Sequence, residues 1–241
     1  MRHNEAPLSH ERGIPAPSIL VFDVNETLLD IEFISPIFDR IFGERKMLRE
    51  WFNQLILYSN VMTLSGPYVP FFELAQGVLT MLGEIYGVKI SASDIDELRT
   101  RMLTMPAHPD VVAGLRQLKE AGFRLVSFTN SPTDPKTSPL KNAGIADWFE
   151  RSFSVERVRR FKPAPQGYHL VAEELEADPS SLCMVAAHVW DTIGAQSVGY
   201  SAALITRSGN APLLVNRLPQ PQIIAPDVPG VAADSIRLWR K

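Results

Sequence analysis

One cysteine in 241 residues, Cys183, rules out an intrachain disulfide and fits a reducing compartment, so a cytoplasmic location is the expectation. Cys183 lies within the apolar run Leu182-Cys183-Met184-Val185-Ala186 and reads as a small buried core residue rather than a nucleophile. No apolar segment reaches membrane-spanning length. Charge of either sign is nearly balanced, 24 Lys and Arg against 27 Asp and Glu, and the net −3 gives no electrostatic footprint for nucleic acid or an anionic membrane. Repeats and low-complexity tracts are absent, and His3, His10 and His169 lack ligand spacing for a metal. Residues 1–17 are polar and contain proline without a continuous apolar stretch, so a flexible tail is expected there rather than a signal peptide. What is present is enough apolar material, 45% of the chain, for one large domain or a core with an inserted subdomain.

The chain is organised around Val21-Phe22-Asp23-Val24-Asn25-Glu26-Thr27-Leu28. An apolar run of strand length, beginning at Ser18-Ile19-Leu20, delivers the carboxylate of Asp23 at its C-terminal end, where open α/β sheets carry their reactive groups. Alone, such an Asp is as well read as a turn residue or helix N-cap. From about Ile31 to Thr104 the spacing becomes helical, through Phe38, Ile41 and Phe42, Leu48, Trp51, Phe52 and Leu55, Phe71, Leu74, Val78 and Leu82, then Ile95, Leu98 and Met102. Ser93 is the expected N-cap of the last of these helices. Strand and helix signals then alternate: Phe123–Phe128 hands over to Thr129 and Asn130, Arg151–Ser154 follows, Lys162 precedes a helix from Gln166, and Leu182–Ala187 ends in His188 with Asp191 beyond it. Ala202–Ile205 and Ile223–Ala225 complete the strand candidates. The fold class expected is α/β, a doubly wound parallel sheet of Rossmann-like type. The expected organisation is a core of residues 18–32 and 105–241 with an α-helical subdomain at 33–104 inserted into it, which the family resemblance given below implies is a cap.

In one parallel sheet, Asp23 with Thr27, Thr129 with Asn130, Lys162, and His188 with Asp191 converge at one edge. At these residues the chain resembles the haloacid dehalogenase superfamily, and within it the type II L-2-haloacid dehalogenases. The resemblance spans nearly all of residues 18–234 and rests on Phe22–Leu28, Ser127–Asn130, Phe161–Tyr168 and Ala186–Ala195. Superfamily phosphatases carry a second Asp two residues after the nucleophile as general acid, where this chain has Asn25, and gather acidic residues for Mg²⁺, where it has only Asp191. The resemblance therefore implies a hydrolytic dehalogenase for small 2-haloacids that works through a covalent aspartyl ester, with no metal and no cofactor. Its partners would be the 2-haloacid and halide. A homodimer is a further expectation, because dimers are common in the family. Two other readings are an atypical phosphatase of the same superfamily and a catalytically silent binding protein that keeps the fold.

The resemblance also implies roles. Asp23 attacks carbon, Lys162 keeps it anionic, Thr27 orients it, and Thr129 and Asn130 bind the substrate carboxylate or halide. Tyr168 lines the site, and Asp191 either positions the hydrolytic water or caps a helix. The chain departs from the family at two places. His188 replaces a family Asn and is either a base, oriented by Glu26, or a hydrogen-bonding substitute beside a solvated Glu26. Phe52 stands where the family has a halide-gripping Arg, leaving Arg49, one helical turn earlier, either to reach the same face or to be a solvated cation. Trp51, Tyr58, Tyr68 and Phe72 are candidates, with Phe52, to line an apolar pocket over Asp23.

Overall fold

The runs Ile19–Phe22, Leu182–Ala186 and Ser201–Ile205 are buried along their whole length because they lie inside a parallel sheet covered by helices, which explains why they read as continuous rather than alternating. A computed structural model describes residues 16–132 and 138–240; the expected tail therefore lies, up to residue 15, outside the described residues. The strands are β1 (Ile19–Phe22), β2 (Arg124–Thr129), β3 (Arg151–Ser154), β4 (Leu182–Ala186), β5 (Ser201–Ile205) and β6 (Ile223–Ala225). All neighbours pair in parallel, in the order β3-β2-β1-β4-β5-β6. The order reverses between β1 and β4, so a crevice opens beyond their C-terminal ends, and Asp23 and His188 are the residues those two strands deliver to it.

The core helices are α5 (Val111–Glu120), α6 (Pro139–Asn142), α7 (Pro165–Glu174), α8 (Val189–Ser197) and α9 (Val228–Trp239). Between β1 and α5 the chain forms α1 (Ser35–Phe42), α2 (Met47–Ser65), α3 (Phe71–Tyr86) and α4 (Ala92–Thr104). Their apolar faces meet each other; Trp51 is buried and its indole N–H donates to the Ala75 carbonyl at 2.9 Å, tying α2 to α3. The N-cap of α4 is Ser91, not Ser93 as the sequence suggested. Ser91 and Asp94 make a reciprocal capping box, while Ser93 lies inside the helix with its hydroxyl paired to that of Ser91.

The helical segment leaves and rejoins the sheet through two neighbouring strands of backbone. Asp30 N donates to the Pro106 carbonyl at 2.8 Å and His108 N to the Leu28 carbonyl at 2.9 Å. It also rests on the sheet edge, where Phe161 N donates to Thr63 Oγ1 at 3.0 Å. These contacts hold α2 and α3 over the crevice that contains Asp23.

Candidate active site

Asp23 is buried directly past β1, and its carboxylate has two differently supported oxygens. Oδ1 accepts from the Lys162 ammonium at 2.8 Å. The same ammonium donates to Asp191 Oδ2 at 2.6 Å and to the Phe128 carbonyl at 3.0 Å, so its three protons are all used. Lys162 is 1% exposed, and an unpaired ammonium at such a depth would be strongly disfavoured. Burial alone would raise the pKa of Asp23, but Lys162 and His188 outweigh it and hold the carboxyl well below the usual carboxylate range. Asp191 is displaced the other way by its own burial, aided by the charge of Asp23. Of the two carboxylates that share one ammonium, Asp23 is the one whose ionised form is favoured more strongly. Oδ2 of Asp23 accepts from Thr27 Oγ1 at 2.6 Å, and that hydroxyl is fixed by the Ala187 amide at 2.8 Å.

On the Oδ2 side stands His188, whose Nδ1 is 3.4 Å from Asp23 Oδ2 and has no hydrogen-bond partner among the described residues. Its Nε2 is 2.8 Å from Glu26 Oε2, and because a carboxylate only accepts, Nε2 carries a proton. The ring is sandwiched between Phe52, at 5.4 Å, and Trp190, at 4.9 Å. Burial would lower the pKa of His188, but Asp23 and Glu26 outweigh it and push it up to about 9. Glu26 adopts φ +66, a left-handed backbone that costs a non-glycine residue about 1 kcal/mol or more and turns its side chain inward, where it is 2% exposed. Its Oε1 accepts from Arg49 and, at 3.0 Å, from Asn210 Nδ2.

A small hollow lies over Asp23, lined by Asn25, Phe52, Ile56, Phe71, Asn130, His188 and Trp190. Several sequence expectations are corrected here. Arg49 does not reach this hollow: it lines a second one beside Glu26, donating to Glu26, to Glu32 Oε1 at 2.9 Å and to the Ser208 carbonyl at 3.1 Å. Thr129 is turned away, accepting the Ser131 amide at 3.0 Å as part of a local turn. Tyr168 does not line the site but sits behind it, donating to Asp191 Oδ1 at 2.6 Å. Asp191 is fully buried with both oxygens engaged, so it positions Lys162 rather than a water, and the N-cap of α8 is His188. Asn130 does face the hollow, while its Oδ1 accepts the Lys162 amide at 2.9 Å. Among the aromatic candidates only Phe52 lines it; Trp51 is core, Tyr68 packs tilted against Phe161, and Ile56, Phe71 and Trp190 take further places. Asn210 had no sequence signal, since it lies in an irregular loop with no motif.

The donors do not suit a divalent metal. The Lys162 ammonium occupies the place between Asp23 and Asp191, and the amide of Asn25 donates to Ser131 Oγ at 3.1 Å. Among the described residues no group of three or more His, Cys, Asp or Glu side chains is placed to hold one.

A family model described as haloacid dehalogenase-like hydrolase matches residues 17–199. The chain belongs to that family. Among curated proteins this hydrolase is similar to (S)-2-haloacid dehalogenase 1 of Pseudomonas sp. (strain CBS-3), at 28% identity over 78% of this chain and 83% of the other. It is similar also to haloacetate dehalogenase H-2 of Moraxella sp. (strain B), at 27% identity over 80% and 87% of the two chains. Among solved structures, the L-2-haloacid dehalogenase of Xanthobacter autotrophicus with chloropropionic acid covalently bound shares its fold, with a TM-score of 0.80 and 22% identity over 90% of this chain and 97% of that one. Among the described residues no helix of the hydrolase is long and apolar enough to cross a membrane.

Proposed function

We propose that this hydrolase is a 2-haloacid dehalogenase acting through a covalent ester on Asp23, with the helices of residues 33–104 as its cap. The observation that carries the reading is the ammonium of Lys162 held between Asp23 and Asp191. It keeps a carboxylate nucleophile ionised and leaves no room between them for a metal. Asn25 beside it cannot give a proton to a leaving group, and halide needs none. Relatives named as haloacid dehalogenases, one of them holding chloropropionic acid covalently, support the same chemistry.

In the first step Asp23 attacks the halogen-bearing carbon from the far side, the carbon–halogen bond breaks, and halide leaves with the bonding pair. No cap arginine faces the hollow, so the cation available to an anionic substrate and its leaving halide is the His188 imidazolium, with the Asn130 amide beside it. Esterification removes the charge of Asp23. One of the two carboxylates that hold the proton on His188 is lost, its basicity falls, and the Nδ1 proton passes to solvent. The neutral imidazole then takes a proton from water at Nδ1, the hydroxide attacks the Asp23 carboxyl carbon, and the departing 2-hydroxyacid oxygen takes that proton. His188 thus serves the two steps in two charge states, with Glu26 orienting it in both.

The test is halide release from chloro-, bromo- and fluoroacetate and from both 2-chloropropionate enantiomers in the presence of EDTA, with mass spectrometry of the peptide that contains Asp23. EDTA-insensitive halide release with a mass increase on Asp23 is expected. Metal-dependent release of phosphate from p-nitrophenyl phosphate, with no halide, would replace this reading by the phosphatase one.

A further inference from the structure

Arg49 has partners that halide binding does not explain. It stands in the first turn of α2, its side chain 30% exposed, and joins three separate stretches of chain: the nucleophile loop at Glu26, the entry to the helical segment at Glu32, and the loop after β5 at Ser208. The next residue, Gly209, has φ +85, and a Cβ there would lie 3.2 Å from the Arg49 guanidinium carbon, so the loop backbone closes tightly on the cation. With Asn210 on the same Oε1, Glu26 is gripped on one oxygen and offers the other to His188.

We infer that Arg49 is a positioning residue for ester hydrolysis: it clamps Glu26 from the far side and shares its charge, so that Glu26 orients His188 without holding it permanently as the imidazolium. This rests on the two-step reading above. The charged groups around His188 are Asp23 and Glu26, with Lys162 behind Asp23 and Arg49 beyond Glu26; the ring faces are covered by Phe52 and Trp190. Once Asp23 is esterified, Glu26 is the remaining carboxylate on the ring, and its hold depends on how much of its charge Arg49 neutralises. Removing the guanidinium strengthens that hold, and hydrolysis then needs a higher pH. Lysine at the same place restores a cation without the two-pronged geometry.

The experiment follows formation and decay of the Asp23 ester with bromoacetate by rapid quench and mass spectrometry across pH, for the full chain and for Arg49→Gln, Arg49→Lys and Asn210→Ala. For Arg49→Gln the midpoint of the hydrolysis profile should move up by about one pH unit, with roughly tenfold slower ester decay near neutrality. The halide burst should stay within about threefold of the unchanged chain. Arg49→Lys should return the midpoint most of the way, and Asn210→Ala should shift it upward by less. An unmoved midpoint in Arg49→Gln, a change confined to KM, or a lysine variant indistinguishable from the glutamine one would overturn the inference. Should Arg49→Gln not fold, Asn210→Ala decides in the same way, since it touches the same oxygen from an irregular loop. Absence of any ester in the unchanged chain is a different failure and would overturn the two-step reading itself.

Discussion

The two oxygens of Asp23 face two unlike environments. On the Oδ1 side, Lys162, Asp191 and Tyr168 form a closed group with every donor of the ammonium engaged. On the Oδ2 side, His188, Glu26 and Arg49 run outward from full burial to a partly exposed guanidinium, and the Nδ1 at its inner end has no partner among the described residues. A closed group of alternating charges cannot change its protonation without a large loss, whereas a chain that reaches solvent can. The first side fixes the nucleophile; the second supplies a group whose charge follows the state of the nucleophile.

The contrast can be broken from either side. The largest effect is expected for Lys162→Met, which leaves two buried carboxylates facing each other. The pair should then share a proton near neutrality and Asp23 loses the ammonium that steadies it, so halide release should fall by about a thousandfold or more, and unfolding in urea should show a loss of about 3–5 kcal/mol. His188→Asn should act on both steps and most on the second: a weakened halide burst, turnover about a hundredfold slower, and an ester that still accumulates on Asp23 in rapid-quench mass spectrometry. Undiminished turnover with no trapped ester would reduce His188 to a hydrogen-bonding substitute. Tyr168→Phe removes one donor to Asp191 and leaves Lys162 in place, so halide release should drop by less than about tenfold and stability by about 1 kcal/mol.

Stability against pH sharpens the same comparison. The pKa of His188 is raised by folding from 6.5 to about 9, so its contribution is fully present below the unfolded value and is lost as pH rises through the folded one. Denaturant titrations should show the unchanged chain losing stability relative to His188→Asn across that window, by at most about 3 kcal/mol. The carboxyl of Asp23 is shifted the opposite way, so its contribution is present above the ordinary carboxylate pKa and is lost only on strong acidification.

Much of this was legible in the sequence, for a physical reason. Strands buried on both faces appear as unbroken apolar runs, and in a parallel sheet the polar residues that end them gather at one edge, so Asp23, Asn130, Lys162 and His188 were found without coordinates. The sequence offers Glu26, in the loop after β1, either as an orienting partner of His188 or as a solvated residue, and its Oε2 lies 2.8 Å from the ring. What the sequence does not encode locally is how far each side chain reaches. Tyr168 and Thr129 follow the right motifs but are spent on Asp191 and on a turn. Arg49 occupies the right face of α2, yet two carboxylates and a carbonyl intercept it before the hollow. Ile56, one turn after Phe52 on α2, and Trp190, two residues after His188, carry a local spacing signal, whereas Asn210 enters through long-range packing that no spacing rule records.

The central claim is that Asp23 itself forms the bond to carbon. A single turnover of bromoacetate with excess protein in heavy-oxygen water tests it most directly, by mass spectrometry of both the product and the peptide containing Asp23. The label is expected in the carboxylate of Asp23, with the glycolate unlabelled. Label in the glycolate and none in Asp23 would mean that water attacks the substrate carbon directly, and would contradict it.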